Sequence, residues 1–99
     1  MSVRLVISID AKPGKGAELA AAMEQRCVEV RKEPGCEQYE VFQSANNPDR
    51  LVLLELWSDQ AALDVHADLL RAQQPNAATA SLRAEGPTAR EDYEYNRTR

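Results

Sequence analysis

With 99 residues the chain has room for one modest hydrophobic core, a size at which a second subunit becomes a useful source of buried surface. Twelve basic residues against sixteen acidic ones give a net charge of −4 at pH 7. Neither sign is gathered into a block able to grip phosphates or an anionic bilayer, which argues against nucleic acid and the membrane as partners.

The opening stretch "MSVRLVISIDAKPG" turns polar at Asp10 and Lys12, too early for the apolar centre of a signal peptide or for a membrane span, so a cytoplasmic location is expected. Residues 3 to 9 are β-branched and apolar with polar residues interspersed, and Pro13, Gly14 and Gly16 follow as turn chemistry, so a first strand ends near Asp10. From Ala17 to Lys32, Leu19, Met23, Cys27 and Val30 recur at helical spacing and predict an amphipathic helix stopped by Pro34 and Gly35. A second strand is expected from Cys36 to Gln43 and a third from Arg50 to Trp57, joined by the loop "SANNPD". A second helix opens with Ser58 or Asp59 as N-cap and sets Leu63, His66, Ala67 and Leu70 on one stripe. Pro75 interrupts that pattern, and "NAATASLRA" predicts a short helix anchored only by Leu82 and closed by Gly86 and Pro87. The alternating "TAREDYEYN" puts Tyr93 and Tyr95 on one side and Asp92, Glu94 and Asn96 on the other, and is polar enough for an edge strand.

This order is β-α-β-β-α-β with an added short helix, an α+β, ferredoxin-like plan with an antiparallel sheet and helices on one face. No repeat, low-complexity tract or linker divides residues 1–99, which read as a single domain. The third strand, "LVLLELW", is apolar on both sides, with Val52, Leu54 and Leu56 on one and Leu53, Glu55 and Trp57 on the other. Only one side can meet the chain's own helices, so a sheet-to-sheet homodimer is expected to cover the second. Cys27 and Cys36 match neither a CxxC redox pair nor a zinc knuckle and are read as free structural thiols. One histidine and scattered acids make no metal site of ordinary composition, and no dinucleotide, P-loop, zincin or hydrolase motif is present.

The segment "EPGCEQYEVFQS", then "PDR", then "LLELWSDQAALDVH" resembles the antibiotic biosynthesis monooxygenase family. The pattern is Pro-Gly, a Tyr in the second strand, Glu-x-Trp ending the third and a His in the second helix, here Pro34, Gly35, Tyr39, Glu55, Trp57 and His66. The similarity runs over about residues 3 to 95. It implies a dimeric α+β barrel and, in the best-known members, oxidation of quinols or anthrones by molecular oxygen without metal, flavin or haem. Other members degrade haem or isomerise a small phosphorylated sugar derivative. The haem-degrading branch carries an Asn in the first strand and a ligating His beyond the second helix. Here those positions fall on Ile7 and near Asn76, which ranks haem breakdown below quinol-type oxidation.

Oxygenation without a cofactor makes the substrate its own reductant, since a phenolate or enolate passes an electron to oxygen far more readily than the neutral molecule. The protein then has to remove a proton, enclose the ring and stabilise the anion. His66 suits the first task because an imidazole ordinarily titrates at about 6.5. The other reading makes it a packed core histidine. On the resemblance, His66 and Trp57 are the catalytic candidates, and Tyr39, Glu55, Leu53, Leu63 and Leu70 line a small aromatic substrate's pocket, with Glu55 orienting His66 or a substrate hydroxyl. The alternatives make Trp57 a core plug, Glu55 a cross-strand partner of Arg4 or Arg50, and Tyr39 a buried ring with a wet hydroxyl, while Phe42 faces the dimer barrel. A non-oxidative isomerase would need cations near His66, for which Arg50 and Arg71 are remote candidates. A binding protein without chemistry would show the pocket filled by its own side chains.

Overall fold

The computed structural model describes residues 1–73, 76–86 and 88–95, the side chain of Tyr95 excepted, so the expectations placed on Pro75, Pro87, Asn96 and the Tyr95 ring lie outside the described residues. The elements in chain order are β1 (Ser2–Asp10), α1 (Gly16–Val30), β2 (Cys36–Gln43), β3 (Arg50–Trp57), α2 (Gln60–Ala72), α3 (Ala77–Leu82) and β4 (Ala89–Tyr95). All pairings are antiparallel and the sheet order is β2-β3-β1-β4, which gives the expected ferredoxin-like arrangement with β4 at an edge.

Registry sorts the side chains. Leu5 faces Glu55, Ile7 faces Leu53, and Tyr39 faces Glu55 from the other flank, so these residues share one surface of the sheet. That surface carries the core: Val3, Leu5, Ile9, Leu51, Leu53 and Trp57 pack with Leu19, Cys27 and Val30 of α1 and Leu63 of α2. Val52, Leu54 and Leu56 stand on the opposite surface and are only half-buried, while Phe42 beside Val52 is 45% exposed. The Leu53, Glu55 and Trp57 side of β3 therefore looks toward the chain's own helices.

Two turns are fixed by residues distant in sequence. The first turn of α1 has no cap of its own; Asp49, just before β3, accepts hydrogen bonds from Gly14 N at 2.9 Å and Gly16 N at 3.0 Å instead. A carboxylate there satisfies otherwise unpaired amides and favours the positive end of the helix. After α1, the chain turns through Gly35 at φ +81°, where an added Cβ would lie 2.5 Å from the Ala62 Cβ. Gly35 O accepts from Ser58 N at 2.8 Å, tying the end of α1 to the start of α2. Helix α2 is capped by Asp59, whose Oδ1 accepts from Ala62 N at 2.8 Å. Helix α3 is capped by Asn76, buries no residue fully, and rests its partly buried Leu82 on the core. Its end is clamped to β1 by Lys12 N to Leu82 O and Ala84 N to Asp10 O, each 2.8 Å.

Candidate active site

Between the helix-facing surface of the sheet and the three helices lies a cavity of about 420 Å³, within the range of roughly 300–1,000 Å³ common for small-molecule pockets. Its floor is Leu5, Ile7 and Ile9 of β1 with Leu53 and Glu55 of β3, and Tyr39 closes one flank. Met23, Arg26 and Cys27 of α1 form a wall opposite Leu63, His66, Ala67 and Leu70 of α2. Gln73, Asn76, Thr79 and Arg83 form the outer rim. All five residues named from sequence as substrate-binding are in this lining; Leu70, 40% exposed, is at its open side.

His66 sits on the inner stripe of α2 and is 3% exposed. Its Nδ1 lies 2.9 Å from Glu33 Oε1. A carboxylate offers only acceptors, so Nδ1 carries the proton and donates it, which leaves the lone pair of a neutral ring on Nε2. Nε2 is buried and has no hydrogen-bond partner among the described residues. Leaving such an atom unsatisfied costs about 1–3 kcal/mol, and a ligand proton on it would relieve that cost.

Three aromatic contacts fix the ring. Trp57 stacks on His66 with centroids 4.6 Å apart and planes 30° apart, and Tyr39 meets the imidazole edge-on at 5.4 Å. Tyr39 and Trp57 contact each other edge-on at 6.4 Å. Trp57 Nε1 donates to Glu55 Oε1 at 2.9 Å. Burial is the main cause that pushes the Glu55 carboxyl upward from its ordinary value, against the Trp57 hydrogen bond and the nearby His66 and Arg90 charges. Burial likewise raises the Tyr39 phenol, helped by the Glu55 charge, so Tyr39 is held as a neutral hydroxyl. Cys27 and Cys36 are both free and pushed up to about 11 by burial, consistent with structural thiols.

Three expectations change. The partner orienting His66 is Glu33, not Glu55, whose carboxylate is bound to Trp57 instead. Sequence gave no sign of Glu33: it lies 33 positions from His66, and only the turn through Pro34 and Gly35 brings it over α2. Trp57 is not among the cavity-lining residues; it is fully buried one layer behind and backs the imidazole. Arg50 and Arg71 are not the cations of this cavity, since Arg50 approaches Asp10 at 3.6 Å and Arg71 pairs with Asp68. The arginines that line it are Arg26, Arg83 and Arg90.

Ile7 and Asn76 both line the cavity. Among the described residues no group of three His, Cys, Asp or Glu side chains is arranged to hold a metal ion. No helix among them is long and apolar enough to cross a membrane.

A small antiparallel sheet roofed on one face by helices, with a histidine in the lining of the space between, defines a ferredoxin-like α+β protein with an internal cavity. The sequence model of the antibiotic biosynthesis monooxygenase family matches residues 2–75, and the chain belongs to that family. YcnE of Bacillus subtilis (strain 168), named as a candidate monooxygenase, is 33% identical over 58 residues, which cover 59% of this chain and 61% of YcnE. The chain spans between 40% and 61% of the length of the curated relatives it matches. A Pseudomonas aeruginosa protein of solved structure superposes with a TM-score of 0.76 at 23% identity, covering 97% of this chain and 95% of that one. SnoaB from Streptomyces nogalater, a cofactor-independent oxygenase solved as a mutant, superposes with a TM-score of 0.75 at 15% identity over 98% of this chain and 95% of its own. At these identities the two structures establish the fold.

Proposed function

We propose that the chain is a cofactor-independent monooxygenase that oxidises a small aromatic quinol or a similar enolisable ring with molecular oxygen. The observation that carries this reading is the imidazole held through Nδ1 by Glu33, with an unpartnered Nε2, in the wall of a cavity with a largely apolar floor. His66 Nε2 removes the phenolic proton, and Glu33 stabilises the imidazolium that forms. The ring anion passes an electron to oxygen, the two radicals join as a C–O bonded peroxide, and loss of water leaves a hydroxyquinone. One oxygen atom enters the product and the other becomes water, with all four electrons supplied by the ring. Leu53, Leu63 and Leu70 enclose the ring. Tyr39, as a neutral hydroxyl, donates to a substrate oxygen, and Glu55 faces the ring from the cavity floor. Trp57 serves by fixing the imidazole plane.

The test is turnover of a menadiol-like quinol under labelled dioxygen, with chelator present and autoxidation subtracted. The expected product carries one labelled oxygen atom. Enzyme-dependent oxygen uptake no faster than the blank would reject the reading. A second reading, a non-oxidative isomerase acting on a small polar metabolite, gains from the arginines in the wall; it predicts ligand turnover with no oxygen consumed.

The half-buried outer surface of the sheet, with Val52, Leu54, Leu56 and the exposed Phe42, supports a homodimer packed sheet to sheet. Light scattering should give twice the mass of one chain, and Leu54→Glu should halve it. A wild-type monomer at micromolar concentration would remove this part of the proposal.

A further inference from the structure

The cavity is chemically two-sided. Its inner part is apolar and aromatic around His66, whereas its α1 wall and outer rim bring in guanidinium groups. The three arginines differ in how they are satisfied. Arg90 is held by Asp92 through two hydrogen bonds, Nε at 2.8 Å and Nη2 at 3.0 Å, and its charge is matched. Among the described residues the Arg83 guanidinium donates only to the neutral hydroxyl of Thr88, at 3.3 Å. Arg26 makes no hydrogen bond or ion pair among the described residues, although it is half-buried beside Cys27. By contrast Arg31, just past the end of α1, is bridged to Glu24 at 2.7 Å.

The acid in the lining does not neutralise these groups. Glu55 is the carboxyl in the described lining, on the cavity floor, and its hydrogen bond is with Trp57 rather than with an arginine. The cavity of a chain with net charge −4 thus has a positive wall. The backbone on both sides of Arg83 is hydrogen-bonded, Lys12 N to Leu82 O and Ala84 N to Asp10 O, which positions the residue at the rim.

We infer that the Arg26 and Arg83 side of the cavity is an anion subsite, and that the substrate is a hydroxy-aromatic acid whose carboxylate is gripped there while its phenol meets His66. A planar guanidinium matches a carboxylate with paired donors, and such charge-assisted bonds are stronger than neutral ones. The apolar floor takes the ring between the two ends. The phenolic half of this assignment rests on the proposed oxygenase reading; the anionic half rests on the arginines alone.

The test is run under nitrogen, so that with no oxygen present binding is read apart from turnover. Quenching of the fluorescence of Trp57, the single Trp of the chain, reports on 4-hydroxy-1-naphthoate, whose two groups stand across the ring, and on 1-naphthol. The acid should bind at least about tenfold more tightly than the naphthol, a ratio equal to about 1.4 kcal/mol. The double variant Arg26→Gln, Arg83→Gln should lose that preference while its affinity for 1-naphthol stays unchanged, which also certifies the fold. Arg26→Lys, keeping the charge but not the fork, should retain part of it. Equal affinities in the wild type, or a preference that survives in the double variant, would overturn the subsite. Tighter binding of 1-naphthyl phosphate than of the naphthoate would overturn the carboxylate assignment. A wild type that shows no preference for the acid yet takes up oxygen with an uncharged quinol would overturn the subsite alone, so its failure and that of the oxygenase reading are distinct.

Discussion

The two ends of the cavity are built differently. At the His66 end every important side chain is held by at least two neighbours: the imidazole by Glu33, Trp57 and Tyr39, and Trp57 by Glu55 as well. At the Arg83 end the short helix α3 buries nothing fully, and Leu70, Gln73 and Asn76 are exposed. A proton-transfer group needs fixed geometry, whereas a rim that admits ligand works with looser packing. On the proposed reading, this difference assigns proton transfer to the rigid end and ligand selection to the looser one.

That contrast can be broken by substitution, and the largest effect is expected at its rigid end. Trp57→Ala removes a fully buried ring and should cost about 3–5 kcal/mol, read by chemical denaturation. Gly35→Ala forces a side chain into a left-handed backbone and against Ala62, and should cost about 3 kcal/mol. Because that turn carries Glu33 toward His66, activity of the folded fraction should fall with it. Glu33→Gln should slow turnover on the order of 10–100-fold while stability stays within about 1 kcal/mol. A Glu33→Gln protein as active as the wild type would show that the hydrogen bond to His66 is structural only.

Glu55→Gln sharpens the comparison through pH. Burial raises the Glu55 carboxyl above 4.5 in the folded protein, so the native state holds this proton more tightly than the unfolded chain does. Native stability therefore declines as pH climbs from about the unfolded value toward the folded one, and the loss persists above it. Glu55→Gln abolishes that penalty, and its melting temperature relative to wild type should rise from pH 4 to pH 8. A constant difference across that window would contradict the assignment. The smallest effect is expected at the loose end, where Leu70→Ala at a 40% exposed position should cost less than about 1 kcal/mol.

Much of this frame was legible in the chain. The alternation in "LVLLELW", the stripe Leu63–His66–Ala67–Leu70 and the Pro-Gly stop after the first helix yielded the element order, and the structure adjusts only boundaries, as where α1 ends at Val30 before Lys32. Local periodicity reports burial directly, which is why these readings succeed. What it does not report is which residues of separate turns meet. Glu33 reads as a surface acid at a helix end, and Asp49 as a loop residue, yet one holds His66 and the other caps α1. Trp57, a catalytic candidate on the resemblance, packs behind the imidazole because its ring fills the core while its N–H finds Glu55. The arginines in the lining come from α1, the end of α3 and β4, elements that only the tertiary fold brings to one space.

The central claim is that His66, held by Glu33, is the base. The most direct measurement is blank-corrected oxygen uptake with a quinol by His66→Ala, before and after addition of free imidazole. The account predicts uptake near the blank for the variant and a rise with imidazole, which can occupy the space the side chain leaves. Uptake by His66→Ala equal to that of the wild type, with imidazole without effect, would contradict it.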